Sequence, residues 1–309
     1  MSGTASLESA ATETGIEIVA SLAQHRVLSA TQVRAIHLPT SGERWAQRVL
    51  VRLGDAGLAD YVRSPRSHRR LWHVTERGAR VAREAGALDG EPRLIGAEGA
   101  AGPLQAHTLA VNDAGVCFLE AARERGDEFG PFSWRHEVSH PLSRGRGRRR
   151  RALVADAVFT YLLLDGQGVA IEQRFLELDR ATLSVDRLVS ELVRYAQLYR
   201  TSGKRSEPLW RYRYPVFPRV VCVLAGGSRE ALTRRRQVAL MLLGSDPQLE
   251  RAYGVEISFC LLDDLKRSGP FEPIFCSVSE PERKVNWLGE GEAADDAYPA
   301  PVESEAAEP

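Results

Sequence analysis

A few acids and histidines are the residues in this sequence whose spacing could do chemistry. His136, Glu137 and His140 stand in "HEVSH", the HExxH spacing with which zinc proteases hold their metal. That chemistry needs a helix, so that the two histidines face the metal one turn apart. Here Pro141 follows His140 directly, and a residue before proline avoids helical backbone. Pro131 lies just upstream and an arginine run follows, which leaves no room for a supporting helix. The stretch therefore reads as a strand, on which Glu137 faces away from both histidines. The zinc pattern is an accident of composition. Glu137 reads instead as a third acid beside Asp156 and Glu177, or as the ion-pair partner of a nearby arginine.

The stronger chemical signal is a pair of apolar, strand-like runs, "ALVADAVFTYLLL" and "VAIEQRFLELDR", joined by "DGQG". If that turn pairs Asp165 with Gly168, Asp156 falls directly opposite Glu177, with roughly 5 Å between their Cβ atoms. Asp179 shares the face of Glu177, because strand side chains alternate. Like charges so placed repel unless something compensates. A divalent cation, Mg²⁺ or Mn²⁺, bound by Asp156 and Glu177 would do so; a bulge in the register, or neutralising arginines, would serve as well. Asp156, Glu177, Asp179 and Glu137 are thus the candidate catalytic acids, and Asp156 and Glu177 the candidate metal ligands.

The elements that must position these acids begin at about residue 105. The amphipathic helix "HTLAVNDAGVCFLEAARERG" leads into "FSWRHEVSH", then the hairpin, the helix "LSVDRLVSELVRYAQLYR" and the strand "RVVCVLAG", an α-β-β-β-α-β order with further elements after it. Upstream, residues 15–86 spell three helices, two short strands joined by a basic turn, and a closing helix. Ser29 caps the second helix. Thr40 and Glu43 have the spacing of a capping box for the third. That arrangement is a winged helix-turn-helix. On its third helix Arg44, Arg48 and Arg52 recur every four residues as a basic ridge, while Trp45, Val49, Leu50 and Leu53 point to the core. Arg63, Arg66, Arg69 and Arg70 on the wing would reach the phosphates of double-stranded DNA. An arginine-covered bundle, or a winged helix that docks protein, is the plainer alternative.

Composition sets bounds on the rest. The 309 residues carry no net charge, yet the seven acids after residue 285 stand without a base. Residues 1–285 are therefore at +7, and residues 15–85 hold twelve arginines against six acids. Six arginines crowd residues 144–151, among them Arg146, Arg148, Arg149 and Arg150, which suits a phosphate clamp. Four scattered cysteines have no disulfide spacing and read as buried apolar groups in a reducing cytoplasm. No apolar run approaches membrane-spanning length, and the first residues lack the pattern of a signal peptide. The expected organisation is a disordered 1–14, a DNA-binding domain at 15–86, a Gly/Ala/Pro-rich linker at 87–104, a second domain at 105–285 and an acidic disordered tail at 286–309.

Several of these residues carry a family likeness. His107 and Asn112 in "HTLAVND", Trp134 and Glu137 in "WRHE", Asp156 in "VADAVF", Glu177, Asp179, Arg180 and Thr182 in "FLELDRAT", and Tyr195 and Tyr199 in "YAQLY" resemble the actinobacterial plasmid replication-relaxation proteins, over about residues 15–265. The resemblance implies a winged helix followed by a restriction-endonuclease-like, PD-(D/E)xK-like domain, and plasmid or mobile-element DNA transactions. It also implies partners among replication or transfer proteins, or a second copy of the chain. In that nuclease fold the two strand acids hold Mg²⁺ and a lysine two residues on orients water. Here that position is Asp179, and the only lysines are Lys204, Lys266 and Lys284. Arg187 and Arg194 on the next helix could stabilise charge but accept protons poorly, and Glu191 stands where a migrated lysine is expected. A tyrosine relaxase would need a tight histidine cluster, which the chain lacks. Tyr195 and Tyr199 then read as core, and His107 and Asn112 as partners of buried polar groups. Two expectations follow: a DNA-binding accessory or regulator that does not cleave, and a Mg²⁺-dependent nickase.

Overall fold

A computed structural model describes residues 12–65, 67–88, 94–102, 105–142, 151–165, 168–202 and 207–291. Arg66, Arg146, Arg148, Arg149, Arg150 and Lys204 lie outside the described residues, as do the expected disordered start up to residue 11 and the tail from residue 292. The fold is mixed α+β, built on two sheets.

The N-terminal unit opens with α1 (Glu13–His25), capped by Thr12, which buries Ile18, Val19 and Leu22. Strand β1 (Leu28–Ser29) leads into α2 (Ala30–His37), opened by a true capping box between Ser29 and Gln32. Helix α3 (Glu43–Asp55) starts after Gly42 with no side-chain cap, so the Thr40–Glu43 box expected from spacing does not form; the chain enters the helix two residues too late for Thr40 to be its cap. Gly57, at φ 69°, then turns the chain into β2 (Ala59–Arg63) and β3 (Arg70–Val74). These pair antiparallel in the order β1-β3-β2, and α4 (Glu76–Glu84) closes the unit against α1.

The stretch expected as a linker contains α5 (Ala97–Ala101), which packs on β2 and β3. Helix α6 (Gln105–Arg125) is followed by β4 (Trp134–Pro141), β5 (Ala152–Asp165) and β6 (Gly168–Asp179). Next come α7 (Val185–Arg200), a 3₁₀ turn, β7 (Arg219–Leu224), α8 (Arg229–Gly244), α9 (Pro247–Glu250) and β8 (Ile257–Leu261). Helix α10 (Leu262–Ser268), β9 (Phe275–Ser277) and β10 (Lys284–Val285) complete the described chain. The sheet runs β10-β9-β8-β7-β6-β5-β4, parallel only across β6-β7-β8, where α7 and α8 supply the crossovers.

Two apolar clusters sandwich the large sheet. One joins Phe175, Val220 and Cys222 to α7 and α8. The other joins Phe159, Tyr161 and Leu176 to α6, and it continues without a break into Ile18, Leu22, Leu50 and Trp72 of the N-terminal unit. The two units therefore share one core, although the sequence joins them through glycine- and alanine-rich chain. All four cysteines are buried and unpaired. Among the described residues no helix is long and apolar enough to cross a membrane.

Candidate nucleic-acid interface and acidic cleft

Helix α3 buries Ala46, Leu50 and Leu53 and turns Arg44, Gln47, Arg48, Val51 and Arg52 outward. Trp45, expected in the core, is 42% exposed. It flanks the buried stripe, and the guanidiniums of Arg48 and Arg52 lie 5.0 and 5.5 Å from its ring centre. Together with Arg69, Arg70 and Trp72 of the β2–β3 side and the start of α2, this face lines a groove of about 990 Å³. Arg70 lies 4.4 Å over Tyr61, and Arg63 donates to the His68 carbonyl at 3.3 Å. Among the described residues neither Arg44 nor Arg48 has an acidic partner. Elsewhere arginines are tied down: Arg123 donates to the Ala35 and Ile36 carbonyls, and Arg174 to Glu172 at 2.6 Å. The positive charge of Arg44 and Arg48 in the groove is therefore not neutralised by an acid among the described residues.

The acids sit in a second cleft, of about 510 Å³, between the ends of β5 and β6 and the face of α7. The hairpin register is the expected one: Asp165 pairs with Gly168 and the ladder continues to Ala157 and Leu176. It stops there, immediately before Asp156 and Glu177. At that step the strands change sides. Ala157 and Phe159 belong to the cluster against α6, whereas Leu153 and Ala155 belong to the one against α7. On β4, Trp134 and Val138 divide in the same way. Glu137 carries the irregularity: its φ is 47°, and the ladder register skips from His136–Ala157 to Val138–Ala155, passing over Glu137 and Asp156.

The Asp156 side chain occupies the break. Its Oδ2 accepts from Leu178 N at 2.8 Å, and His107 Nε2 lies 3.1 Å from Oδ1. Glu177 beside it accepts from the Tyr195 hydroxyl, itself fully buried. Burial first and the Asp156 charge second push the Glu177 carboxyl well above the usual range, against the pull of the Tyr195 hydrogen bond. The raised Glu177 carboxyl is thereby biased towards its protonated form. Burial, then Glu177, pushes the Tyr195 phenol upward too, so it remains a donor.

The other candidates have different partners. Asp179 is clamped by Arg235 of α8, with Arg235 Nη2 3.1 Å from Oδ1, and it caps Ala181 N at 3.1 Å. Arg187 pairs with Glu191 at 3.1 Å, and Arg194 donates to the Ala152 carbonyl at 2.5 Å. Lys266 is held by Asp113 at 2.5 Å, on α6. Among the described residues no group of three or more His, Cys, Asp or Glu side chains converges to hold a metal ion. The oxygens of Asp156 and Glu177 are met by His107, Leu178 N and Tyr195.

Glu137 meets Arg26 across the seam between the units, with both oxygens bonded at 2.5 and 2.6 Å. Arg26, like Glu137, has positive φ, 68°. Next to this pair is a closed polar network. His25 stacks on Trp134 with 4.2 Å between ring centres and donates Nε2–H to the Pro131 carbonyl at 2.7 Å. Its Nδ1 is then an acceptor for His136 Nε2, 3.3 Å away, and that nitrogen also reaches Asn112 Oδ1 at 2.9 Å. Asn112 Nδ2 in turn donates to the Val27 carbonyl at 3.0 Å. The seam was not legible from spacing, because every bond in it joins residues distant in sequence. Gln47, Val51 and the exposure of Trp45 were also missed; the helix start at Glu43 was the signal that could have placed them.

A family model described as replication-relaxation matches residues 19–208, more than half of the chain. No curated protein and no solved structure matches.

Proposed function

The chain belongs to the replication-relaxation family, and from that premise we propose that it is a DNA-binding protein of plasmid or mobile-element replication, relaxation or transfer. In this reading residues 15–86 form a winged helix-turn-helix that grips double-stranded DNA, and the large sheet is a PD-(D/E)xK-like fold without full cleavage machinery. The observation that carries it is the groove on α3, where Arg44 and Arg48 keep unneutralised charge beside Arg69 and Arg70. Arginine forks match phosphate and guanine edges, and a helix face anchored by Ala46, Leu50 and Leu53 can be presented rigidly to a major groove. The absence of a lysine two residues after Glu177, where Asp179 stands, supports the non-cleaving half of the reading.

A second reading, a Mg²⁺- or Mn²⁺-dependent nickase, has one observation in its favour: Asp156 and Glu177 meet in an open cleft, with a histidine beside them. In that reading Asp156 and Glu177 would hold the cation, which would polarise the phosphate and activate water. One experiment separates the two. Supercoiled plasmid is incubated with the protein in Mg²⁺, Mn²⁺ or EDTA, beside an Asp156→Ala/Glu177→Ala protein. Retarded but uncut plasmid, the same for both proteins, is the result expected. Metal-dependent open circles lost in the double variant would replace the first reading with the second. Absence of retardation at low salt would remove both.

A further inference from the structure

The exposed centre of α3 is not uniformly basic. Arg44, Gln47, Arg48 and Val51 lie at i, i+3, i+4 and i+7, on one face and in one groove. A surface that only neutralised phosphates would have no use for a 37% exposed valine or an amide at its middle. Phosphate contacts position a protein, whereas base edges are read by side chains that differ in hydrogen-bonding pattern.

We propose that this quartet makes the groove a sequence reader of the major groove of duplex DNA, an inference that rests on the DNA-binding reading above. Each side chain has a matching base edge. An arginine fork fits guanine O6 and N7, a glutamine amide fits adenine N6 and N7, and an apolar group fits the thymine methyl. Gln47 is oriented for this role: one of its N–H groups reaches Glu43 Oε1 at 3.3 Å, which leaves the second N–H and the carbonyl oxygen free as a bidentate pair. Arg48 is held against Trp45, 5.0 Å from the ring centre, so its fork is ordered before DNA arrives. Arg44 has no such brace and no acid. Arg69 and Arg70, on the far wall of the groove, face the sugar-phosphate rim. The target is thus a short duplex element in which guanine and adenine edges lie on one strand within a few base pairs, beside a thymine methyl.

The test is selection from a random duplex library by the full chain at near-physiological salt, followed by binding of the selected duplex and its single-base-pair variants. It is repeated with Arg44→Ala, Gln47→Ala and Val51→Ala, all at exposed positions. The expected result is a short selected motif. Arg44→Ala and Gln47→Ala should each abolish discrimination at a single position, about 5- to 150-fold in the wild type, and leave the others intact. Val51→Ala should remove about fourfold at a thymine. A selected pool without a motif, bound equally to every duplex, would overturn the reader while leaving DNA binding in place. A motif unchanged by all three substitutions would overturn it too, since some other element would then be reading. No binding to any duplex at low salt would overturn the reading on which it rests.

Discussion

Lowering the pH should unlock the seam between the two units. Four buried histidines are neutral in the folded chain. Burial, then the facing His136, holds His25 well below its ordinary value. Burial, then the Arg26 charge, lowers His136 to about 3, with opposing contributions from Asp156 and Glu137. Burial lowers His37 and His140 to about 4, helped by Arg123 and by Arg213 respectively. In the unfolded chain each titrates near 6.5. As pH falls through that value the unfolded state takes up protons that the folded state refuses. Stability is complete above about pH 6.5 and is lost down to about pH 4 for His37 and His140, and about pH 3 for His136.

One pH unit below 6.5, each histidine accounts for about 1.4 kcal/mol, so four cost about 5–6 kcal/mol. Glu177 works in the opposite sense. With its folded value raised, the folded state keeps a proton that the unfolded chain has released, and acidification returns up to about 1.4 kcal/mol per pH unit. Between pH 7.5 and 5.5 that offset is at most about 2.7 kcal/mol, so the net loss is about 3–5 kcal/mol, a large part of an ordinary folding stability of about 5–15 kcal/mol. Urea unfolding at pH 7.5 and 5.5 measures it. With a slope of about 3 kcal/mol per molar, the midpoint should fall by a little over 1 M. His136→Asn should shrink that fall by about one histidine's share. An unchanged midpoint in the wild type would refute the argument, because these four rings would then not be held neutral in the folded chain.

Other outcomes follow from single contacts. Gly115→Ala should destabilise by about 1–3 kcal/mol in the same urea assay, because the added Cβ would stand 2.6 Å from Trp134 Cε2 where α6 crosses β4. Arg26→Ala should cost about 1–3 kcal/mol, since it leaves the partly buried Glu137 carboxylate without its bidentate partner. Glu177→Gln should change stability at pH 7 by less than about 1 kcal/mol, because an amide can accept from Tyr195 and donate to Asp156 as the protonated acid does; a large loss would mean that Glu177 is ionised. Arg44→Ala/Arg48→Ala should weaken binding of the selected duplex, measured by titration at one fixed salt concentration; unaltered affinity would remove α3 from the interface.

What could be read from the sequence was what local rules determine. The β5–β6 register followed from turn length, because pairing across a tight hairpin is fixed by counting outward from Asp165 and Gly168. The Ser29 cap and the buried Leu50 and Leu53 followed from periodicity. The Thr40 cap failed because spacing cannot say where a turn releases the chain into a helix, and Trp45 was misplaced because its bulk suggested burial while its angle on the helix put it on the flank. The face switch at Glu137 and Asp156 could not be seen at all. It exists because β4 and β5 must serve α6 at one end and α7 at the other, and no alternation pattern within either strand declares that demand.

Several of the residues expected to carry the family likeness meet at or beside that switch. Asn112 bonds the His25 and Val27 carbonyls and receives His136 and the Trp134 indole; Glu137 takes Arg26; Asp156 takes His107 and Leu178 N; Glu177 takes Tyr195. Laid out in space, these residues form one run of contacts from the N-terminal unit, across the break in the sheet, to α7, and every one of them lies inside residues 19–208. An active site would explain only the far end of that run, Asp156 and Glu177. A seam explains all of it, because each member either satisfies a buried polar group or neutralises a charge where the two units meet or where the ladder is interrupted. These contacts thus form a joint between the N-terminal unit and the large sheet, and within it lie the two carboxyls whose chemistry is to be tested.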